Sequence, residues 1–142
     1  MTDQPLHLTA AALWVPGAGW RGVAVAGPPG AGKSDFALRL IGRGWRLLAD
    51  DYAHVFASGG ALYATAPDTI AGRIEARGVG VVGACALGLA RLVLMVELTE
   101  DGVERLPEPE TRTLAGVALP VLRLHGFEPS AVEKVTGWTA RL

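Results

Sequence analysis

A single cysteine, Cys85, stands in a chain of 142 residues, so neither an internal disulfide nor a multi-thiolate metal site can form. A reducing compartment is the simplest setting, and the expected location is the cytoplasm. The three histidines, His7, His54 and His125, share no metal-ligand spacing with one another or with Cys85, which argues against a transition-metal centre. Charge of one sign is also missing. Thirteen Lys and Arg against fourteen Asp and Glu leave a net charge of -1, with no general attraction for nucleic acid or an anionic membrane. Any polyanion must therefore be held locally. Aromatic residues make up only 6% of the chain, and Trp14, Trp20, Trp45 and Trp138 read as core or interface anchors rather than a base-stacking platform. The opening Met1 to Pro5 has no basic stretch and no apolar block, so nothing there reads as a secretory signal.

One long apolar run exists, the 19 residues Gly78 to Val96 with Arg91 as their single charge. Gly78, Gly80, Gly83 and Gly88 interrupt it, and an Arg within a membrane span costs about 2.5–3.5 kcal/mol. The expectation is two buried strands joined by a loop, and no membrane contact.

Half of the residues are apolar, and a chain of this length buries roughly 68–70% of its unfolded surface, which points to one globular domain over 1–142. Leu8 to Val15 and Gly22 to Ala26 flank Pro16-Gly17-Ala18-Gly19 and read as a hairpin. Phe36, Ala37, Leu40 and Ile41 recur at helical spacing, giving a helix over Lys33 to Arg43 that Gly42 and Gly44 end. Short strands are expected at Arg46 to Ala49, Ala53 to Phe56 and Ala61 to Ala64, then a helical turn from Pro67 to Ile74 that Glu75 to Gly78 closes. Further strands fall at Val79 to Val82, Arg91 to Leu98 and Val117 to Leu124, with a loop at Leu106 to Glu110 and a last helix over Pro129 to Ala140. The interleaving gives an α/β fold with a mixed sheet and flanking helices.

Gly27-Pro28-Pro29-Gly30-Ala31-Gly32-Lys33-Ser34 matches G-x-x-x-x-G-K-[ST] between an expected strand and an expected helix, the context a phosphate-binding P-loop requires. Its glycines let backbone amides curl around phosphate oxygens, and the start of the helix adds its dipole. Lys33 would neutralise the terminal phosphates of a bound nucleotide, and Ser34 can ligate Mg²⁺. Asp50 and Asp51 follow 17 and 18 residues after Lys33, at the end of the next strand, so carboxylates arrive beside the phosphates. One acid can hold the metal or its water, and the other can take a proton from an incoming hydroxyl. Strand alternation alone does not say which of the two faces the phosphates. A kinase of small metabolites and a nucleotide-sensing module without transfer activity both use such a loop.

Three blocks together carry a resemblance. They are Gly27 to Ser34, then Ala37-Leu38-x-Leu40-Ile41-x-Arg43-Gly44-x-Arg46-Leu47 running into Ala49-Asp50-Asp51, then Ile74-Glu75-Ala76-Arg77-Gly78-Val79-Gly80. With their spacing the chain resembles the C-terminal catalytic domain of HPr kinase/phosphorylase, without a counterpart of that family's separate N-terminal domain. The resemblance implies a fold like that of phosphoenolpyruvate carboxykinase. It also implies ATP- and Mg²⁺-dependent phosphorylation of a serine on HPr, the phosphocarrier of the bacterial sugar phosphotransferase system, with phosphorolysis as the reverse step. It makes Asp51 the base, with Asp50 beside it, and Ser34 and Glu75 the Mg²⁺ ligands. It pairs His7 with the acid and matches Arg105 to a catalytic arginine, in a homo-oligomer that is typically hexameric. Pro120-Val121-Leu122-Arg123-Leu124-His125-Gly126 stands where the family carries Pro-Val-Arg-Pro-Gly-Arg-Asn, sharing the opening and one arginine.

Overall fold

A computed structural model describes residues 5–141; Met1 to Gln4, read above for a targeting pattern, and Leu142 lie outside them. Near-continuous apolar runs in the central strands build a mixed sheet in the spatial order β3 (Arg46–Ala49), β1 (Thr9–Val15), β2 (Gly19–Ala26), β8 (Ala90–Thr99), β10 (Val117–His125) and β9 (Glu110–Leu114). β1 and β2 form the hairpin, with Trp14 opposite Trp20. The sequence places the second strand at Gly22, but the register runs on to Val15 opposite Gly19. Gly17 at φ 81° supplies the positive dihedral that so short a turn demands. β3 pairs antiparallel with β1, and β8 runs parallel to β2. β10 is parallel to β8 and carries β9 antiparallel on its outer edge. The edge strand β9 escapes the sequence pattern because Glu-Thr-Arg-Thr-Leu is polar, as suits a strand with one open side.

Helix α1 (Lys33–Ile41) and helix α2 (Ala131–Ala140) both pack on one face of the sheet. Phe36 and Leu40 of α1 and Val132 and Val135 of α2 meet Val23, Val25, Leu94, Val96 and Leu98 there. Each such fully buried side chain contributes about 1.5–3 kcal/mol. Trp45, also buried, satisfies its indole by donating to Thr136 Oγ1 at 3.1 Å. The opposite face, bearing Ala10, Ala12, Ala24 and Met95, is closed by the hairpin of β4 (His54–Ser58) and β5 (Ala61–Thr65). β5 pairs with the first residues of β8, and β10 takes over the same edge from Met95 onward.

Two expectations fail around residue 75. Pro67 to Gly72 is a run of turns, and Arg73–Ala76 is a strand, β6, paired with β7 (Gly80–Gly83). The β-branched Ile74 and the glycines Gly78 and Gly80, with positive φ, suit a tight hairpin better than a helix end. Nor is β7 buried. It pairs only within this two-stranded ribbon, so Val79 and Val81 stay exposed while Ile74 packs with Ala37 and Leu47, and Val82 lies half-buried against them. The apolar run Gly78 to Val96 thus divides into β7 and β8, and no helix among the described residues is long and apolar enough to cross a membrane.

Candidate active site

β2, β8 and β10 are mutually parallel, and β3 shares their direction through its antiparallel pairing with β1. Their carboxyl ends, and the start of β1, therefore lie along one edge of the sheet, the position where open α/β sheets bind ligands. β2 is in the middle, and from its end the chain enters the glycine-rich turn. Gly30 and Gly32 adopt φ of 83° and 91°, which side-chain-bearing residues rarely reach. Gly32 is the N-cap of α1 and has no side chain to cap it, so the first amides of α1 remain available to an anion. Lys33 Nζ donates to the carbonyl of Gly27 at 2.7 Å, holding the ammonium over the turn.

On the β3 side stand the acids. Asp50 is 7% exposed and accepts three hydrogen bonds: from Ser34 Oγ at 2.6 Å, from Thr9 Oγ1 at 3.3 Å, and from the amide of Glu75 at 3.1 Å. The ribbon β6–β7, pinned by Ile74, is what brings Glu75 there. Asp51 is exposed and sits at φ 70°, a left-handed conformation that Asp tolerates better than most residues. Its amide donates to Thr9 Oγ1 at 3.1 Å, and its Oδ1 accepts from His7 Nε2 at 2.6 Å. His7 is delivered by a bridge between Leu6 and Ala53, and its ring stacks on Tyr52 with centroids 5.2 Å apart. The two neighbouring carboxylates are thereby held differently. One is tied to Ser34 beside the glycine-rich turn, and the other turns outward with a histidine.

Thr9 was invisible to the motif reading. Completely buried, it is the shared partner of both acids. Its signal in the sequence is slight, a lone hydroxyl at the head of the apolar run Leu8 to Val15.

On the β8 and β10 side, the loop 100–105 and the turn after His125 enclose an open groove of about 630 Å³. Arg105 lines it and enters none of the hydrogen bonds joining Ser34, Asp50, Asp51, His7 and Thr9. Below it, Arg123 and Arg112 form a lattice with Glu97 and Glu110, including Arg123 Nε to Glu110 at 2.9 Å and Arg112 Nε to Glu97 at 2.8 Å. Glu97 alternates with the helix-facing Val96 and Leu98, so the lattice lies on the opposite face. The Arg123 hydrogen bonds, seconded by the charge of Arg112, hold the Glu110 carboxyl below the usual carboxylate range.

Among the described residues no group of three or more His, Cys, Asp and Glu side chains is arranged to hold a metal. The Ser34 hydroxyl and the Asp50 carboxylate, 2.6 Å apart, are oxygen donors of the kind Mg²⁺ takes beside substrate phosphates and water, and Glu75 joins them through its backbone amide.

Fold and site define a class: an α/β protein in which a strand, a glycine-rich turn and a helix face a carboxylate pair that follows β3, one strand removed in the sheet. The family is more specific. A profile of the HPr Serine kinase C-terminal domain matches residues 14–123, most of the chain, and the chain belongs to that family. It is 40% identical over 114 residues to an HPr kinase/phosphorylase of Brevibacillus brevis, a match covering 71% of this chain and 37% of the relative. With an HPr kinase/phosphorylase of Clostridium kluyveri it shares 46% identity over 66 residues, 46% of this chain and 21% of the relative. The chain thus spans well under half the length of these curated relatives. Its fold superposes on the HPr(Ser) kinase/phosphatase from Coxiella burnetii with a TM-score of 0.77 at 20% identity, covering 98% of this chain and 88% of that one.

Proposed function

We propose that this chain transfers the γ-phosphoryl group of ATP to a seryl hydroxyl of an HPr-type phosphocarrier, with Mg²⁺, and that the same site runs the reverse phosphorolysis. The observation that carries this reading is the division of the acids, Asp50 on Ser34 and Asp51 with His7. In the forward direction Asp51 accepts the proton of the serine as it attacks, and His7 holds the carboxylate in place. In reverse the protonated Asp51 returns it. Lys33 and the turn amides neutralise the phosphates. Mg²⁺, when bound, supplies charge neutralisation across the β- and γ-phosphates, and Ser34, Asp50 and Glu75 are the residues that would hold it. Arg105 keeps a catalytic role only through its resemblance to a family arginine, since the groove it lines adjoins the turn from the other side. A homo-oligomer, a hexamer by the same resemblance, and a cytoplasmic site of action complete the proposal.

The test incubates the purified protein with γ-labelled ATP, Mg²⁺ and HPr, and follows label on serine. Transfer that is lost in Lys33→Ala supports the reading. Nucleotide binding without label on HPr refutes it in favour of a sensing module.

A further inference from the structure

The groove on the β8 and β10 side has a shape and a neighbour that nothing in the reaction above employs. Phe127, 55% exposed, forms its wall. The tip of that ring presses against the phosphate-binding turn: a Cβ placed on Gly32 would lie 2.8 Å from Phe127 Cζ. Gly126, just before it, is equally close to the turn, since a Cβ there would lie 2.6 Å from the carbonyl of Ala31. Arg39 of α1 donates to the carbonyl of Gly126 and fastens the two segments. The groove is therefore continuous with the first turn of α1, on the side of β2 away from the acids.

We propose that this groove is the nucleoside subsite, taking the purine base and ribose of the nucleotide whose phosphates lie in Gly27 to Ser34, with the base stacked on Phe127. This deepens the proposed function and rests on it. A volume of about 630 Å³ lies within the range of small-ligand sites. An exposed planar ring beside a phosphate-binding turn is the element a base needs, and stacking is tolerant of base identity. The lining carries Glu100, Asp101 and Glu104 beside Arg105, while Lys134 is paired with Glu128 at 2.7 Å, so carboxylates predominate. Carboxylates accept hydrogen bonds from ribose hydroxyls and exocyclic amines, and they repel the polyphosphate, which sets the orientation of the nucleotide along the groove.

Calorimetric titration of the full chain with ATP and with inorganic tripolyphosphate, both with Mg²⁺, tests this. Phe127→Ala should weaken ATP about tenfold, the scale of one base on one aromatic ring, and leave tripolyphosphate unchanged. Phe127→Leu keeps an apolar side chain against Gly32 without the planar face, and it should lose ATP affinity like Ala. Wild-type ATP affinity in either variant overturns the proposal. Equal losses of ATP and tripolyphosphate also overturn it, because Phe127 then only shapes the turn. Wild-type protein that binds neither probe overturns this inference together with the proposed function. Phe127-dependent ATP binding without any transfer to HPr sinks the proposed function alone and leaves the subsite standing.

Discussion

The two flanks of the glycine-rich turn are built on opposite plans. On the β1 and β3 flank, polar groups are few, hydrogen-bonded and locked: Thr9 and Asp50 are buried, and each has its partners within 3.3 Å. On the β8 and β10 flank, the loop residues Glu100 to Arg105 are exposed around an open groove. The difference teaches where chemistry and affinity are separated. In the proposed function the proton is handled at Asp51, which Thr9 and His7 brace from this flank, whereas a base would need only a flat apolar face on the other. Substitutions on the first flank should act on rate, and those on the second on nucleotide affinity.

Lys33→Ala breaks the comparison at its centre. In the proposed function the Lys33 ammonium meets the phosphates that both flanks share, so transfer should vanish and triphosphate affinity fall together; unchanged turnover in the purified variant would remove the turn from the mechanism. Asp51→Asn comes next. It keeps size but cannot take the proton, so rates in both directions should fall by about 10²–10⁴-fold while nucleotide affinity, measured by calorimetry, stays near wild type. Asp50→Asn should respond to added Mg²⁺, since its carboxylate faces Ser34; a variant dead at every Mg²⁺ concentration, beside an active Asp51→Asn, would reverse the two assignments.

Thr9→Val sharpens the same flank more gently. Removing one buried hydroxyl that serves both acids should cost about 1 kcal/mol of stability and about tenfold in rate with ATP affinity unchanged, read from thermal melts beside initial rates. Equal rates would make Thr9 a packing residue only. The smallest effect belongs to the exposed lattice of Arg123 and Glu110. The Glu110 carboxyl titrates below its unfolded value, so its contribution is present at neutral pH and lost as pH falls through that lowered value. Arg123→Met should therefore lower the melting temperature slightly at pH 7 and not at all in strong acid. A difference that persists in acid would show that Arg123 acts through packing.

What could be read in the sequence divides along the same line. The turn, α1 and the Asp50–Asp51 pair follow from local spacing, and the strand, glycine turn and helix are contiguous. His7 came only through the resemblance, because Leu6 must first bridge Ala53 across forty-odd residues to set it beside Asp51. Thr9 and Phe127 were not legible at all. A hydroxyl in an apolar strand and an aromatic after a glycine are commonplace locally, and their meaning comes from tertiary contacts at Asp50 and Gly32. Glu75 was placed on the wrong element, a helix end; it stands on β6, and its amide reaches Asp50 because Ile74 packs with Ala37 and Leu47.

The packing of Gly126 and Phe127 on the glycine-rich turn also bears on how such a protein can be cut. The family profile matches residues 14–123, and a fragment trimmed at residue 123 would retain Asp50, Asp51, Lys33 and the whole turn. It would nonetheless lose the backstop against which Ala31 and Gly32 lie, along with the buried apolar α2 side chains Ala131, Val132 and Val135 that close the core behind α1. The mechanical unit is larger than the recognisable one, and an excised fragment is expected to keep the signature while losing the shape that makes it bind.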